Sequence, residues 1–99
     1  MKVAIASENK NENSEISARA GRAPFYLIFE GGNLIKVMKN PFSFGGGGAG
    51  WGVAKMLGDY KVDLVIAENF GENMKMAFKE RKINFEERKG NIKNFIDEK

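Results

Sequence analysis

The stretch FYLIFEGGNLIKVM, residues 25–38, decides the fold of this 99-residue chain. It consists of two runs rich in aromatic and β-branched residues, with Gly31, Gly32 and Asn33 between them. Glycine and asparagine tolerate the positive φ angles of a tight hairpin turn, and aromatic and β-branched side chains suit a pleated strand. The stretch therefore predicts a β-hairpin.

Outward from the hairpin, short apolar runs predict three more strands. VAIA at 3–6 is continuously apolar, which is typical of a strand buried on both faces of an α/β sheet, and VDLVIA at 62–67 is the next strand. INFE at 83–86 alternates between apolar and polar residues, which favours an edge strand.

Apolar residues at helical spacing predict three helices. One runs from about Gly50 to Asp59, one follows Asn73, and one begins at Asn91, which is a suitable N-cap. The order β, β-hairpin, α, β, α, β, α predicts an α/β fold with a mixed five-stranded sheet and flanking helices.

Composition limits the size and the chemistry of the protein. We expect one small domain spanning residues 1–99. The 16 basic and 13 acidic residues are spread along the chain, which does not favour nucleic-acid binding. Cysteine and histidine are both absent from the sequence. This excludes disulfides, zinc fingers, thiolate-held iron–sulfur clusters, and Ser–His or Cys–His catalysis. The first apolar run is too short for a signal peptide or membrane span, so we expect a cytoplasmic protein without membrane attachment.

A glycine-rich tract, GGGGAGWG at 45–52, precedes the first predicted helix and contains half of the chain's 12 glycines. Ordering glycine costs more backbone entropy than ordering any other residue, so such a tract is expected where φ is positive or where a ligand lies against bare backbone. The amides of a glycine loop that leads into a helix can bind an anion. The alternative is a flexible connector, and composition leaves both interpretations open.

Other chemical motifs are weaker. The pattern G-x-G-x-x-G within residues 45–50 is nearly automatic in a run of glycines, and no strand directly precedes it as a dinucleotide site requires. A P-loop is excluded because no Lys-Ser or Lys-Thr pair follows the tract. Glu8, Glu30 and Glu68 lie at or near predicted strand ends, where solvated charges are a simpler interpretation than a magnesium site.

Ligands of open α/β sheets bind at the carboxyl ends of the parallel strands. In this sequence those ends are residues 7–9 and 68–71, and the glycine tract is expected to open on the same side. Arg19 and Arg22, which flank Gly21 in the first long loop, can pair with an anionic ligand. The sequence therefore predicts a binding rim made by several loops.

Taken in order, these segments resemble the dinitrogenase iron–molybdenum cofactor biosynthesis (NifX-like) family over nearly the whole chain. The residues that carry the resemblance are KVAIAS (2–7), IS (16–17), GRAPF (21–25), NP (40–41), GGGAG (46–50) and FGENM (70–74), with Ile83 downstream. The resemblance implies a small α/β domain of ribonuclease-H-like topology. It also implies a protein without catalysis of its own, because some family members carry iron–molybdenum cofactor or its iron–sulfur precursors. Others are thought to act with cluster-handling ATPases.

The sequence departs from the family pattern at one pair of positions. Family members often have His-Phe before Gly-Arg-Ala-Pro, whereas Arg19 and Ala20 stand there in this chain. The chain thus lacks the ligands that would most naturally bind a cluster. An anionic cluster or precursor can still be held by backbone amides and arginine side chains.

The first hypothesis is therefore a non-enzymatic carrier or accessory protein for an iron–molybdenum or iron–sulfur cluster or its precursor, bound without Cys or His ligands at an anion-binding rim. The expected binding residues are Ser7, Arg19, Gly21, Arg22, Gly46, Gly47, Gly48, Gly50 and Asn73. The second hypothesis is a protein-interaction or regulatory module whose glycine tract docks a partner such as a cluster-handling ATPase. A nuclease, by analogy of fold, is a third hypothesis, which the lack of an acidic residue in the first strand disfavours.

Overall fold

Within residues 1–44 and 49–98, which the computed structural model describes, the chain forms five strands and three helices. The strands are β1 (Lys2–Ser7), β2 (Phe25–Glu30), β3 (Asn33–Lys39), β4 (Leu64–Ala67) and β5 (Asn84–Glu87). The helices are α1 (Ala49–Asp59), α2 (Glu72–Glu80) and α3 (Ile92–Asp97). The predicted order of elements is confirmed.

The strands form a mixed sheet in the order β3-β2-β1-β4-β5. β2 is antiparallel to both β1 and β3, while β1, β4 and β5 run parallel to one another. β1 is covered on both faces of the sheet, with Ala4 and Ala6 buried on one face and Ile5 on the other, which explains why its apolar run has no polar alternation. The order is compatible with the ribonuclease-H-like topology that the resemblance implies. The carboxyl ends of β1, β4 and β5 consequently meet at one edge of the sheet.

The hairpin closes through two glycines in left-handed conformation. Gly31 has φ 60° and Gly32 has φ 83°, as a two-residue hairpin turn of type I′ requires. Asn33 is already paired with Glu30 and is the first residue of β3. The register shifts between Ile28 and Phe29, which leaves a bulge in β3.

Each face of the sheet packs against helices, so the fold has three layers. One face buries alternate strand residues against α1 and α2; this cluster includes Ala4, Ala6, Tyr26, Ile28, Val53, Leu57, Met74 and Phe78. The other face is covered by α3; this cluster includes Ile5, Leu27, Phe29, Leu64, Ile66, Ile92 and Phe95. Asn91 caps α3 through an oxygen that accepts a hydrogen bond from the Asn94 amide, which confirms it as the N-cap. No helix in the described parts of the chain has the length and apolarity needed to cross a membrane.

Two strands begin later than the sequence predicts. Lys61 has φ 64° and the Val62 amide donates to the Leu57 carbonyl, so the residues before β4 complete the end of α1. The Ile83 amide likewise donates to the Phe78 carbonyl at the end of α2, and β5 begins one residue later. β5 is an edge strand, as predicted.

Candidate functional site

The arginine loop, which we define as residues 18–23, is fixed between the carboxyl ends of β1 and β4. Just before it, the Ser17 amide donates to the Ala6 carbonyl at 2.8 Å, and the Ser17 carbonyl accepts from the Glu68 amide at 3.0 Å. Within it, the Ala20 amide donates to the Asn69 carbonyl at 3.0 Å. The first long loop of the sequence is thus anchored to the sheet at the end where ligands bind in this class of fold.

An open cleft of about 480 Å³ lies between this loop and the first turns of α1 and α2. We call this space the cleft. Its described lining residues are Arg19, Ala20, Gly21, Arg22, Gly50, Asn69, Phe70, Gly71, Glu72, Asn73 and Met74. The volume is in the range usual for small-ligand sites.

The N-terminal turns of α1 and α2 approach each other closely at the cleft. A Cβ atom at position 50 would lie 3.1 Å from the backbone nitrogen and the Cα of Met74, so only glycine fits there without a shift of the helices. Glycine is therefore needed at position 50 for close packing and not for a positive φ angle. Glycine is needed at position 52 for the same reason, since a Cβ atom there would collide with the ring of Phe42. Close packing therefore explains these two glycines of the tract, against α2 at Gly50 and against the Phe42 ring at Gly52.

The first turn of α2 offers amide donors to the cleft. Its N-cap residue is Gly71, which has no side chain to cap the helix. Among the described residues, no acceptor lies in hydrogen-bond range of the amides of Glu72, Asn73 and Met74. The positive end of the α2 dipole therefore adds to the donor character of this wall.

The charges of the cleft favour an anion. Arg19 and Arg22 are exposed, and neither forms a salt bridge with an acidic residue of the described chain. Glu72 is the acidic residue of the lining; its side chain is 88% exposed and lies 3.8 Å from the Lys75 ammonium. In residues 1–44 and 49–98 no group of three or more Asp and Glu side chains is placed to hold a metal ion. The cleft thus presents guanidinium and amide donors rather than metal ligands.

The structure brings together five of the nine predicted site residues. Arg19, Gly21, Arg22, Gly50 and Asn73 all line the cleft. The predicted residues Gly46, Gly47 and Gly48 lie outside the described residues.

Ser7, the remaining predicted residue, is fully buried and is not among the lining residues. Its hydroxyl donates to the Asn9 carbonyl at 2.6 Å and accepts from the Asn9 amide at 3.2 Å, so it stabilises the turn after β1. Among the lining residues that were not singled out from the sequence are Asn69 and Glu72. Their position after β4, at the end of the sheet where the binding rim was expected, is the feature of the sequence that could have identified them.

Comparison with known proteins relates this architecture to one family. A family model described as dinitrogenase iron-molybdenum cofactor matches residues 1–98. No curated protein matches the sequence significantly.

Several solved structures share the fold over nearly the whole chain. The apo form of the orange protein from Desulfovibrio gigas superimposes with a TM-score of 0.89 at 15% identity, covering 97% of this chain and 83% of that one. A NifB candidate from Thermotoga has a TM-score of 0.81 at 27% identity, covering 98% and 84%. A dinitrogenase candidate from Methanocaldococcus jannaschii has a TM-score of 0.63 at 21% identity, covering 99% and 89%.

Proposed function

This chain belongs to the dinitrogenase iron-molybdenum cofactor family, and from that membership we propose that it is a non-enzymatic carrier or accessory protein for an anionic metal cluster. The cargo is an iron–molybdenum or iron–sulfur cluster or its precursor. It binds in the cleft through its outer, negatively charged atoms and forms no bond from its metal ions to the protein. The observation that carries this proposal is the meeting in one cleft of an uncapped helix N-terminus and two guanidinium groups that have no acidic partner among the described residues.

Physical chemistry favours an anion at this place. Guanidinium groups and backbone amides supply hydrogen-bond donors and no acceptors, and the helix dipole attracts negative charge. A cationic ligand would be repelled by the guanidinium groups, and a neutral ligand would form weaker hydrogen bonds with these donors than an anion does. Two carboxylates oppose an anion: Glu72, which is largely solvated and has Lys75 beside it, and Glu87, whose Oε2 accepts from the amide of the lining residue Phe70 at 3.4 Å. Of the two, Glu72 itself lines the cleft, and its repulsion is weakened by water and by the neighbouring ammonium group.

The carrier role, rather than catalysis, is supported by the side chains of the cleft. Acid–base catalysis needs a titratable group held close to the reacting atoms, most often histidine or a partly buried carboxylate. The titratable lining residues are Arg19, Arg22 and Glu72, and the Glu72 carboxylate points into solvent. Held by hydrogen bonds and charge, the cargo is bound without covalent attachment and can be passed on intact.

The proposal is tested by anaerobic NMR titration of the ¹⁵N-labelled protein with tetrathiomolybdate and, separately, with a soluble iron–sulfur cluster. We expect shifts at the amides of residues 19–22 and 71–74. Arg19→Ala and Arg22→Ala should each weaken binding by about tenfold, the lower end for a charge-assisted hydrogen bond because both side chains are exposed. Raising the salt concentration should weaken binding further.

The matched control is Lys93→Ala, which removes the same charge from exposed surface of α3, on the opposite face of the sheet. It should leave the affinity unchanged. Absence of any shift at millimolar ligand would refute the proposal. An equal loss of affinity in the Lys93 variant would show that binding follows net charge and is not specific to the cleft.

A second candidate function is docking of a protein partner, such as a cluster-handling ATPase, at the glycine tract. The observation that favours it is the exposure of two large aromatic side chains, one just before the tract and one within it: Phe44 is 95% exposed and Trp51 is 41% exposed. Exposed aromatic residues are typical anchors of protein interfaces. The double variant Phe44→Ser, Trp51→Ser should abolish binding of a purified ATPase of the same assembly system while leaving tetrathiomolybdate binding intact. Unchanged ATPase binding would exclude this candidate.

A further inference from the structure

Two buried side chains outside the cleft hold the backbone of the arginine loop. Asn40 is 1% exposed, and its Nδ2 donates to the carbonyl oxygens of Ala23 at 2.9 Å and Gly21 at 3.1 Å. Tyr26 is fully buried on β2, and its hydroxyl donates to the carbonyl oxygen of Ala20. Neither Asn40 nor Tyr26 lines the cleft, so neither is placed to touch a ligand there.

Asn40 also connects the arginine loop to the segment that leads into the glycine tract. Its Oδ1 accepts from the Phe42 amide at 2.9 Å, and its backbone amide donates to the Pro24 carbonyl at 3.0 Å. The Phe42 ring in turn packs against Gly52 of α1. One buried side chain thus links two walls of the cleft, the arginine loop and the start of α1.

These hydrogen bonds matter because the bonds from Asn69 to the arginine loop reach only its first half, at the Ala18 carbonyl and the Ala20 amide. Of its side chains, only those of the two small residues Ala20 and Ala23 are buried. Its sequence, ARAGRA, contains no large apolar side chain that could anchor it in the core. The carbonyl groups of Ala20, Gly21 and Ala23 all accept from Asn40 or Tyr26, and they lie on both sides of Arg22 in the chain. A buried carbonyl that loses its donor costs free energy until the backbone moves to find water or another partner. Removing these donors would therefore spread the arginines over several conformations.

We propose that Asn40 and Tyr26 are positioning residues that set the affinity of the cleft for its anionic cargo by holding the arginine loop in the binding conformation. This inference rests on the proposed function, because it requires that the cleft bind an anion. A loop that is ordered before binding loses less conformational entropy when the ligand arrives. When only a fraction of the molecules is in the binding conformation, the apparent Kd rises by the inverse of that fraction.

The test compares tetrathiomolybdate affinities of the wild type, Asn40→Ala and Tyr26→Phe. Each variant should raise Kd by roughly five- to tenfold, as expected if the loss of one or two buried hydrogen bonds makes the binding conformation a minor one. Tyr26→Phe keeps the buried ring and removes only the hydroxyl, so it remains informative if Asn40→Ala does not fold. The control is Asn91→Ala, which removes the N-cap of α3 and the hydrogen bond from Asn91 Nδ2 to the Asn13 carbonyl; neither Asn91 nor Asn13 lines the cleft. It should lower the stability and leave Kd unchanged.

A double-mutant cycle separates positioning from a general loss of structure. If Asn40 acts through Arg22, Asn40→Ala should raise Kd by less than about threefold when Arg22 is already alanine. The inference would be overturned if Asn40→Ala raised Kd by the same factor with Arg22 present and with Arg22→Ala. It would also be overturned if Asn91→Ala raised Kd as much as Asn40→Ala does. Wild-type affinity in both the Asn40 and the Tyr26 variant would overturn it while leaving the proposed function standing. A wild-type protein that binds no anion would overturn both.

Discussion

Gly50→Ala tests whether the close approach of α1 and α2 shapes the cleft. The new Cβ atom would lie 3.1 Å from the nitrogen, the Cα and the Cβ of Met74. Two of these atoms are backbone, so the contact can be relieved only by a shift of one helix against the other.

Two effects of opposite sign decide the magnitude for Gly50→Ala. Alanine in place of glycine within a helix stabilises by up to about 1 kcal/mol, and less in the first turn. Overpacking against a rigid neighbour costs about 1–3 kcal/mol. We expect the second effect to prevail and the variant to be destabilised by about 1 kcal/mol. The affinity for anions should also fall, because the first turn of α2 is displaced from the cleft.

Gly58→Ala is the matched control within the same helix. A Cβ atom there would meet the end of the Arg81 side chain at 3.4 Å and the Ile83 Cδ1 at 3.5 Å, and the flexible arginine can move aside. This variant should gain about 0.5 kcal/mol from helix propensity. The two variants would then differ by about 1.5 kcal/mol, or about 6–12 °C in Tm for a chain of this size. Urea and thermal unfolding followed by circular dichroism measure the difference. If Gly50→Ala is as stable as Gly58→Ala, the packing argument is wrong.

The remaining predictions concern Tyr26 and Asn91. Burial raises the pKa of Tyr26 well above its ordinary value of 10.0. The unfolded chain should therefore lose this proton first, and the free energy of unfolding should fall as the pH rises above about 10. Tyr26→Phe should show a smaller loss between pH 9 and 11 in urea unfolding; an identical loss in both proteins would contradict this assignment. Asn91→Ala should cost about 1–2 kcal/mol because it removes the cap of α3 and the hydrogen bond from Asn91 Nδ2 to the Asn13 carbonyl, and Asn91→Ser, which preserves only the capping, should recover about half of it in the same assay. Equal destabilisation by both substitutions would refute the capping argument.

Local patterns account for the parts of the fold that were predicted correctly. The hairpin was predictable because the positive φ angles at Gly31 and Gly32 depend only on the residues of the turn. The position of β1 was predictable because a strand that is buried on both faces has no polar alternation. Strand starts were less predictable. Val62 and Ile83 are apolar and buried like strand residues, yet both hydrogen-bond to the end of the preceding helix.

The candidate site was predictable in part, from the order of the strands. Arg19, Arg22 and Asn73 were placed near one another because the carboxyl ends of parallel strands share an edge, and all three line the cleft. Ser7 was placed there by the same rule, but its side chain turns inward to the Asn9 backbone. The direction in which a loop side chain points depends on its local contacts, and the order of the strands does not predict these.

The sequence by itself determined the order of elements and the hairpin, because periodicity and turn residues act over a few positions. The continuous apolar run indicated the central position of β1, and the motifs taken in order indicated the family. Only the tertiary structure decided why Gly50 and Gly52 are glycines, and which side chains hold the arginine loop. Asn40 lies 17 and 19 positions from its carbonyl partners Ala23 and Gly21. Close packing and buried hydrogen bonds join residues that are distant in the chain, and no local pattern records which of them will meet.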